Sequence, residues 1–189
     1  MITLRDIRPE DKEMIRAWRN LPEVALYMYR DHYISPEAHE RWLSEMGADP
    51  TRRYWIISQG EVNFGLVNLY QISVPDRRCY WAFYLARPGA RGRGVGTCTE
   101  YLILQRVFEE MKFNRLCCEV LASNQTVIEM HRKFGFVQEG YFRQHIIKGE
   151  KPMDVVSLAM LREEWERKKS EILLHLQEKR LLEPERSLA

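Results

Sequence analysis

Residues 86 to 97 form a segment whose composition suits the binding of an anion. It contains four glycines and three arginines and precedes a predicted helix. Glycine accepts positive φ and brings bare N–H groups close to a ligand. The helix adds unpaired N-terminal donors and the positive end of its dipole. Such a site fits a diphosphate.

The spacing within this segment excludes two common nucleotide-binding loops. A Walker loop requires a lysine directly after its last glycine, whereas Gly94 is followed by Val95. A dinucleotide-binding fingerprint requires two residues between its last two glycines, and only Val95 separates Gly94 from Gly96. The pattern that remains is Arg91-x-x-Gly94-x-Gly96.

Glu119 is the first candidate for acid–base chemistry. It interrupts the apolar strand sequence Leu-Cys-Cys-Glu-Val-Leu, where an unpaired carboxylate is costly to bury. We expect it to accept a proton, directly or through water. The structural alternative is an ion pair with Arg143.

The elements that position these residues predict a mixed α/β (α+β) domain. Strands are predicted at 1–7, 53–59, 62–74, 79–86, 115–122, 136–148 and 153–161. Helices are predicted at 9–20, 36–46, 97–112 and 124–134, followed by a charged helix at 162–182. The end of the chain, from Pro184, is expected to fray.

The predicted terminal helix has a broken apolar stripe of Trp165, Ile172, Leu173 and Leu176. It either lies over the domain or forms the contact of a homodimer. We expect one domain at 1–161 and a helical extension with a frayed tail at 162–189.

Composition limits the classes of partner. The chain has 189 residues and a formal net charge of +2, which is too mild to indicate nucleic-acid binding. It has no apolar run of membrane-spanning length and begins with a strand pattern rather than an export signal. We therefore expect a cytoplasmic protein with no nucleic-acid or membrane partner. The four cysteines lack ligand spacing, so neither a disulfide nor a metal site is expected.

Two motifs together resemble the GCN5-related N-acetyltransferase (GNAT) superfamily. The glycine-rich segment matches the family pattern R/Q-x-x-G-x-G/A, and the sequence from Asn124 to Phe136 is similar to N-x-x-A-x-x-x-Y-x-K-x-G-F. The resemblance implies a twisted, mixed but mostly antiparallel sheet of about seven strands, with about four flanking helices besides the C-terminal one. It also implies acetyl-CoA as the acetyl donor, with no metal.

The resemblance assigns residues to the coenzyme. Backbone N–H groups at the end of the aromatic strand would polarise the thioester carbonyl. The glycine-rich segment would hold the pyrophosphate, and Asn124 would cap its helix or contact the coenzyme. The expected contacts are Tyr84, Leu85, Ala86, Arg91, Gly92, Arg93, Gly94, Val95, Gly96, Thr97 and Asn124.

His131 occupies the position of a tyrosine that, in many family members, is assigned to protonate the departing thiolate. Histidine is able to do this because its usual pKa lies near neutrality. The alternative is a helix histidine without a catalytic role. With Glu119, it completes the expected catalytic pair.

The N-terminal half is similar to the amino-sugar N-acetyltransferases of pseudaminic acid biosynthesis. The likeness runs from Leu4 to about Leu161 and is carried by Trp18-Arg19-Asn20-Leu21-Pro22-Glu23-Val24, with His39 and Trp42 further on. It implies acetyl transfer to the 4-amino group of a UDP-linked amino-dideoxy sugar. The expected acceptor contacts are Arg19, Met28, Tyr29, Arg30, Trp42 and Tyr80, with core packing as the alternative for Met28 and Trp42.

Two other functions stay open at this point. One is acetylation of ribosomal-protein N-termini or of another small-molecule amine. The other is an acetyl-CoA sensor without turnover, which the missing tyrosine at position 131 would allow and which Glu119 argues against.

Overall fold

A computed structural model describes residues 1–179 and 181 and contains one seven-stranded sheet. The strands lie in the order β1-β2-β3-β4-β5-β7-β6, and all neighbours are antiparallel except β4 and β5. The predicted mixed, mostly antiparallel sheet is confirmed. Its strands are β1 (Thr3–Asp6), β2 (Arg53–Gln59), β3 (Val62–Ser73), β4 (Arg78–Leu85), β5 (Arg115–Leu121), β6 (Val137–Lys148) and β7 (Lys151–Leu161).

Helices cover both faces of the sheet. One face, called the α1 face below, packs against α1 (Lys12–Arg19), α2 (Pro22–Ala25) and α3 (Pro36–Ala48). The other, the α4 face, packs against α4 (Val95–Gln105), α5 (Gln125–Phe134) and α6 (Arg162–Glu178). Successive side chains of a β-strand point to opposite faces of the sheet, so residues alternate between the α1 face and the α4 face along each strand.

The first α-helix begins later than the sequence predicts. The segment from Pro9 to Asp11 is a 3₁₀ turn, and the α-helix begins at Lys12. The turn is fixed because the carboxylate of Asp11 accepts from the backbone N–H of Arg8 and pairs with Arg5. Helix α2 was not predicted, since four residues are too few to show a helical period.

Helix α4 begins at Val95 and passes into a π-helical turn, Arg106–Glu110. The sequence pattern predicts one buried face, but α4 is buried on most sides. The reason is α6, whose Trp165 ring lies 5.5 Å from that of Tyr101 and 6.4 Å from that of Phe108.

The terminal helix therefore lies over the domain. Trp165, Ile172 and Leu176 are buried in the same core as the sheet, α4 and α5. The helix ends at Glu178 rather than at 182, and the predicted fraying from Pro184 falls outside the described residues. The domain boundary at 161 and a homodimer stay predictions.

Strands β4 and β5 separate in the middle of the sheet. Their parallel ladder covers only the pairs Arg78–Arg115, Cys79–Leu116 and Tyr80–Cys117. Both strands continue beyond these pairs, to Leu85 and Leu121. The split between them opens towards the glycine-rich segment after β4 and the start of α5 after β5.

Candidate active site

A groove of about 1420 Å³ extends from the split. It is lined by the end of β4, the glycine-rich segment, α5, the end of α6 and α2 with the residues that follow it. All of the predicted coenzyme residues line it except Ala86. The local motifs thus converge on one groove.

The glycine-rich segment is shaped for the close approach of a ligand to the backbone. Gly94 has φ +77 and is the N-cap of α4 without a side-chain cap, so the N–H groups of the first turn need another partner. A Cβ on Gly96 would lie 3.4 Å from the Phe83 ring and 3.6 Å from Met130 Sδ. These features fit the pyrophosphate of acetyl-CoA at the start of α4.

Two contacts connect the segment to its surroundings. Arg91 donates to the backbone carbonyl of Glu23 in α2 (3.2 Å), and its guanidinium lies 6.0 Å from the Tyr27 ring centre. On the other side, Leu181 packs against Gly94, and its carbonyl accepts from the Cys98 thiol (3.5 Å). The segment therefore lies between α2 and the residues after α6.

Asn124 is the N-cap residue of α5 by position, but its side chain makes no capping hydrogen bond. Its backbone carbonyl accepts from the N–H groups of Val127 and Ile128. Asn124 lines the groove, which favours the expected coenzyme contact over capping.

The predicted backbone donors of β4 need one correction. The N–H of Ala86 already donates to the carbonyl of Phe64 in β3 (2.8 Å), so it cannot polarise a thioester. In an antiparallel ladder successive N–H groups point to alternate sides. The N–H groups of Phe83 and Leu85 therefore face the split, and Tyr84 faces β3. Phe83 was missed because this alternation depends on the register with β3.

Glu119 lies on β5 beyond the end of its ladder with β4, half-buried on the α1 face, and pairs on the other side with Ser157 of β7. Its carboxylate accepts a hydrogen bond from the hydroxyl of Tyr29 (2.9 Å). Burial raises the pKa of Tyr29, and the bond to Glu119 raises it further. The partner of Glu119 is thus a protonated tyrosine and not Arg143, which lies in an exposed irregular part of β6.

Two more tyrosines surround Glu119. Tyr70 and Tyr80 are directly opposite each other on β3 and β4, with ring centres 5.5 Å apart. Burial raises the pKa of both hydroxyls, and the charge of Glu119 adds to the effect. Tyr70 was missed; only the pairing of β3 with β4 reveals it.

Arg19 lies at the end of α1, half-buried, over the ring of Tyr84 at 6.0 Å. Within residues 1–179 and 181, its Nη1 atom is buried without a hydrogen-bond partner, and so is the Tyr84 hydroxyl. Burial lowers the pKa of Arg19. An unpartnered buried guanidinium nitrogen is a donor suited to an anionic ligand.

The remaining predicted acceptor residues lie in different surroundings. Met28 lines the groove while also packing on the core of the α1 face. Trp42 packs edge-on against Tyr54 at 5.2 Å in that core, which favours the packing alternative. Arg30 is exposed in the loop between α2 and α3.

His131 lies in the core rather than in the groove. Its side chain is 3% exposed, and Nδ1 is 2.8 Å from Oε1 of the fully buried Glu100 on α4. Burial acts to lower the pKa of His131, but the carboxylate of Glu100 and the nearby Cys118 side chain together outweigh burial and raise that pKa well above its usual value. His131 does not line the groove, so this placement favours a structural histidine over the predicted proton donor.

Residues 1–179 and 181 contain neither a cluster of metal-ligating side chains nor a membrane-spanning helix. No group of three or more His, Cys, Asp or Glu side chains there is placed to hold a metal ion. No helix in that part of the chain is long and apolar enough to cross a membrane.

Known relatives agree with this geometry. Residues 1–137 match the family model described as an acetyltransferase (GNAT) domain. Acetyltransferase PseH from Campylobacter jejuni subsp. jejuni serotype O:23/36 (strain 81-176) is 26% identical over 131 residues, which are 69% of this chain and 80% of that protein. Spermidine N(1)-acetyltransferase from Escherichia coli (strain K12) is 26% identical over 140 residues, 74% of each chain.

The fold is shared with solved acetyltransferases. The crystal structure of spermidine N-acetyltransferase from Vibrio cholerae in complex with CoA and spermine superposes with a TM-score of 0.81 at 20% identity, covering 87% of this chain and 97% of that one. The family model covers most of the chain, including the split, the glycine-rich segment and Glu119. The chain therefore belongs to the GNAT family and is an acetyl-CoA-dependent N-acetyltransferase.

Proposed function

We propose that this enzyme acetylates a small amine that carries a phosphate, namely the 4-amino group of a UDP-linked amino-dideoxy sugar. The observation that carries the proposal is Arg19, with its buried and unpartnered Nη1 on the α1 face. A diphosphate would supply the acceptor oxygens that this guanidinium lacks.

The charge around Arg19 supports an anionic acceptor. Burial lowers the pKa of Lys148, and the charge of the nearby Arg19 guanidinium lowers it further. Two cations on one side of the site repel a polyamine and attract a diphosphate. Asp31, which also acts on Lys148, is exposed in the neighbouring loop.

The tyrosines beside Glu119 supply a second element of recognition. Tyr70 and Tyr80 form an aromatic surface on the same face of the sheet. Aromatic rings stack on bases and pack against the C–H surfaces of sugars. We assign this surface to the sugar or uracil of the acceptor.

The groove supplies the donor side. Acetyl-CoA, when bound, supplies the activated acetyl thioester. The first turn of α4 would hold its pyrophosphate, and the N–H groups of Phe83 and Leu85 would face the thioester oxygen and stabilise negative charge on it.

Glu119 is assigned the role of general base. Attack by the amine requires an unprotonated nitrogen, so a proton must leave the acceptor first. The carboxylate of Glu119 accepts that proton, and the hydroxyl of Tyr29 holds the carboxylate in place. The imidazole of His131 is buried against Glu100, so the proposal gives it no role in protonating the departing thiolate.

A polyamine is the second candidate acceptor, because spermidine acetyltransferases are among the relatives. The relative named PseH is equally distant, with the same 26% identity. Arg19 distinguishes the two candidates, since it favours an anionic acceptor over a polycation.

The test is the rate of CoA release from acetyl-CoA with three amines: UDP-4-amino-4,6-dideoxy-N-acetyl-β-L-altrosamine, spermidine and a peptide with a free N-terminus. We expect kcat/KM for the nucleotide sugar to exceed the others by about 100-fold. Faster turnover of spermidine or of the peptide would contradict the proposed acceptor. Tight binding of acetyl-CoA without turnover of any amine would indicate a sensor.

An Arg19→Gln variant tests whether the guanidinium of Arg19 binds the diphosphate of the acceptor. It should raise KM for the nucleotide sugar by about tenfold, the value of one charge-assisted hydrogen bond. The Kd for acetyl-CoA should stay the same. Arg8→Gln, at an exposed arginine before α1, is the matched control.

A further inference from the structure

The tip of the β6–β7 hairpin contacts the residues after α2. The ammonium of Lys148 donates to the backbone carbonyls of Ala25 (2.6 Å), Leu26 (2.6 Å) and Met28 (3.1 Å). A lysine ammonium has three N–H donors and no acceptor. All of its donors are therefore used on one short stretch of backbone.

That stretch carries side chains to both halves of the site. Tyr27 and Met28 line the groove, and Tyr29 donates to Glu119. The carbonyl of Met28 belongs to the same planar peptide unit as the N–H of Tyr29. Fixing this carbonyl therefore fixes the backbone from which the Tyr29 side chain extends.

The shape of β6 explains how Lys148 reaches this loop. The register with β7 shifts between Phe142 and Ile146. Asp154 holds the irregular part, because its carboxylate accepts from the backbone N–H of Gln144 (2.7 Å) and the hydroxyl of Tyr141 (2.6 Å). Such a bulge bends its strand and redirects the residues that follow.

The backbone of this loop bonds mainly to itself. Within the described part of the chain, the N–H groups of Tyr27 and Met28 donate within the turn, to the carbonyls of Val24 and Ala25. Two of the three carbonyls that Lys148 binds, those of Ala25 and Leu26, lie at the C-terminal end of α2, where a cation is favourable. Lys148 is thus a strong link between the hairpin and the loop that carries Tyr29.

We propose that Lys148 is a positioning residue for acetyl transfer, which holds the loop so that Tyr29 stays bonded to Glu119. Lys148 acts through Tyr29 and does not contact the reacting atoms. The inference rests on the proposed role of Glu119 as the base. A purely structural role of Lys148 would change stability without coupling to Tyr29.

The hairpin offers a matched control. Lys151 is exposed and pairs directly with Lys148 across the turn. Lys148→Met should lower kcat by about tenfold, as expected when an oriented hydrogen bond to a charged group is lost. Lys151→Met should leave kcat unchanged, and Lys148→Arg should restore most of the activity because it keeps a charged donor.

A double-mutant cycle with Tyr29→Phe separates positioning from general stability. If Lys148 acts through Tyr29, the double variant should be no slower than the slower single variant. If the loss of kcat in the double variant equalled the product of the two single losses, the two residues would act independently, and the proposal would be overturned.

Hydrogen exchange of the peptide that covers residues 24–30 gives a readout independent of catalysis. Exchange should rise in Lys148→Met and not in Lys151→Met. Unchanged exchange in Lys148→Met would overturn the proposal, whatever the role of Glu119. If Lys148→Met raised exchange but kept the kcat of the wild type, the proposal would be overturned as well. If Glu119→Gln alone kept full turnover, the proposed base would be wrong, whereas the exchange result would still report on the Lys148 contact.

Discussion

The hydroxyl of Tyr29 and the carboxylate of Glu119 meet at 2.9 Å, although 90 positions separate them in the sequence. Tyr29 follows α2, and Glu119 lies on β5 where the strand has left its parallel partner. Because burial raises the pKa of Tyr29, the hydroxyl stays a donor at neutral pH. The bond therefore fixes the carboxylate of Glu119 beside the split between β4 and β5.

Removing the donor should slow the reaction without changing coenzyme binding. Tyr29→Phe deletes one hydrogen bond to a charged group, and kcat should fall by about tenfold. The Kd for acetyl-CoA should be unaltered when measured by calorimetry.

Tyr33→Phe is the control for this change, since Tyr33 belongs to the same loop and is 69% exposed. Its kcat should equal that of the wild type. Equal rates for Tyr29→Phe and the wild type would mean that the hydroxyl does not orient the base.

The buried pair of His131 and Glu100 predicts a pH dependence of stability. The pKa of folded His131 is raised above the unfolded value of 6.5, so the folded state binds the proton more tightly. Its stabilising effect is complete below pH 6.5 and is lost as pH rises through the folded pKa. Urea unfolding at successive pH values should show this decline in the wild type and not in His131→Phe.

Removing the carboxylate tests the same pair. Glu100→Gln leaves the imidazole buried without its counterion and should cost about 3 kcal/mol in the free energy of unfolding. His32→Gln, at an exposed histidine, should keep the wild-type pH dependence. If His131→Phe instead removed one limb of the pH–rate profile with stability unchanged, the histidine would be a proton donor after all.

Gly94→Ala should weaken the coenzyme site. The positive φ of Gly94 disfavours any side chain, and a Cβ there would lie 2.5 Å from Leu181 Cδ1. We expect a loss of about 1–2 kcal/mol in stability and a higher Kd for acetyl-CoA, measured by thermal melting and calorimetry.

Gly47→Ala is the matched control, because Gly47 lies in α3 with nothing within 4 Å of a Cβ. This change should stabilise the helix by up to about 1 kcal/mol. Unchanged acetyl-CoA affinity in Gly94→Ala would remove the glycine-rich segment from the coenzyme site.

Local patterns were sufficient to predict the strands and the glycine-rich segment, whereas the mixed, mostly antiparallel sheet was implied by the resemblance to the family. The turn residues and the apolar periods are short-range signals, and Arg91 to Thr97 form one wall of the groove through consecutive positions. These predictions needed no knowledge of which strands pair.

The errors came from contacts between distant residues. Ala86 was expected to be a free donor because its bond to Phe64 depends on the register of β3 and β4. For His131, sequence alone left a proton donor and a structural histidine open, because its partner Glu100 lies on another helix 31 positions away. Tyr29 and Glu119 were each singled out, but no pattern in one sequence indicates that they touch.

The most direct test of the account is the kcat of Glu119→Gln with the fastest acceptor, measured alongside the Kd for acetyl-CoA. Glutamine keeps the size of the side chain and loses the basic oxygen, so kcat should fall by about 100-fold or more. The Kd should not change, because Glu119 does not line the groove. Glu61→Gln, at an exposed turn between β2 and β3, should behave as the wild type. Wild-type turnover in Glu119→Gln would contradict its assignment as the base.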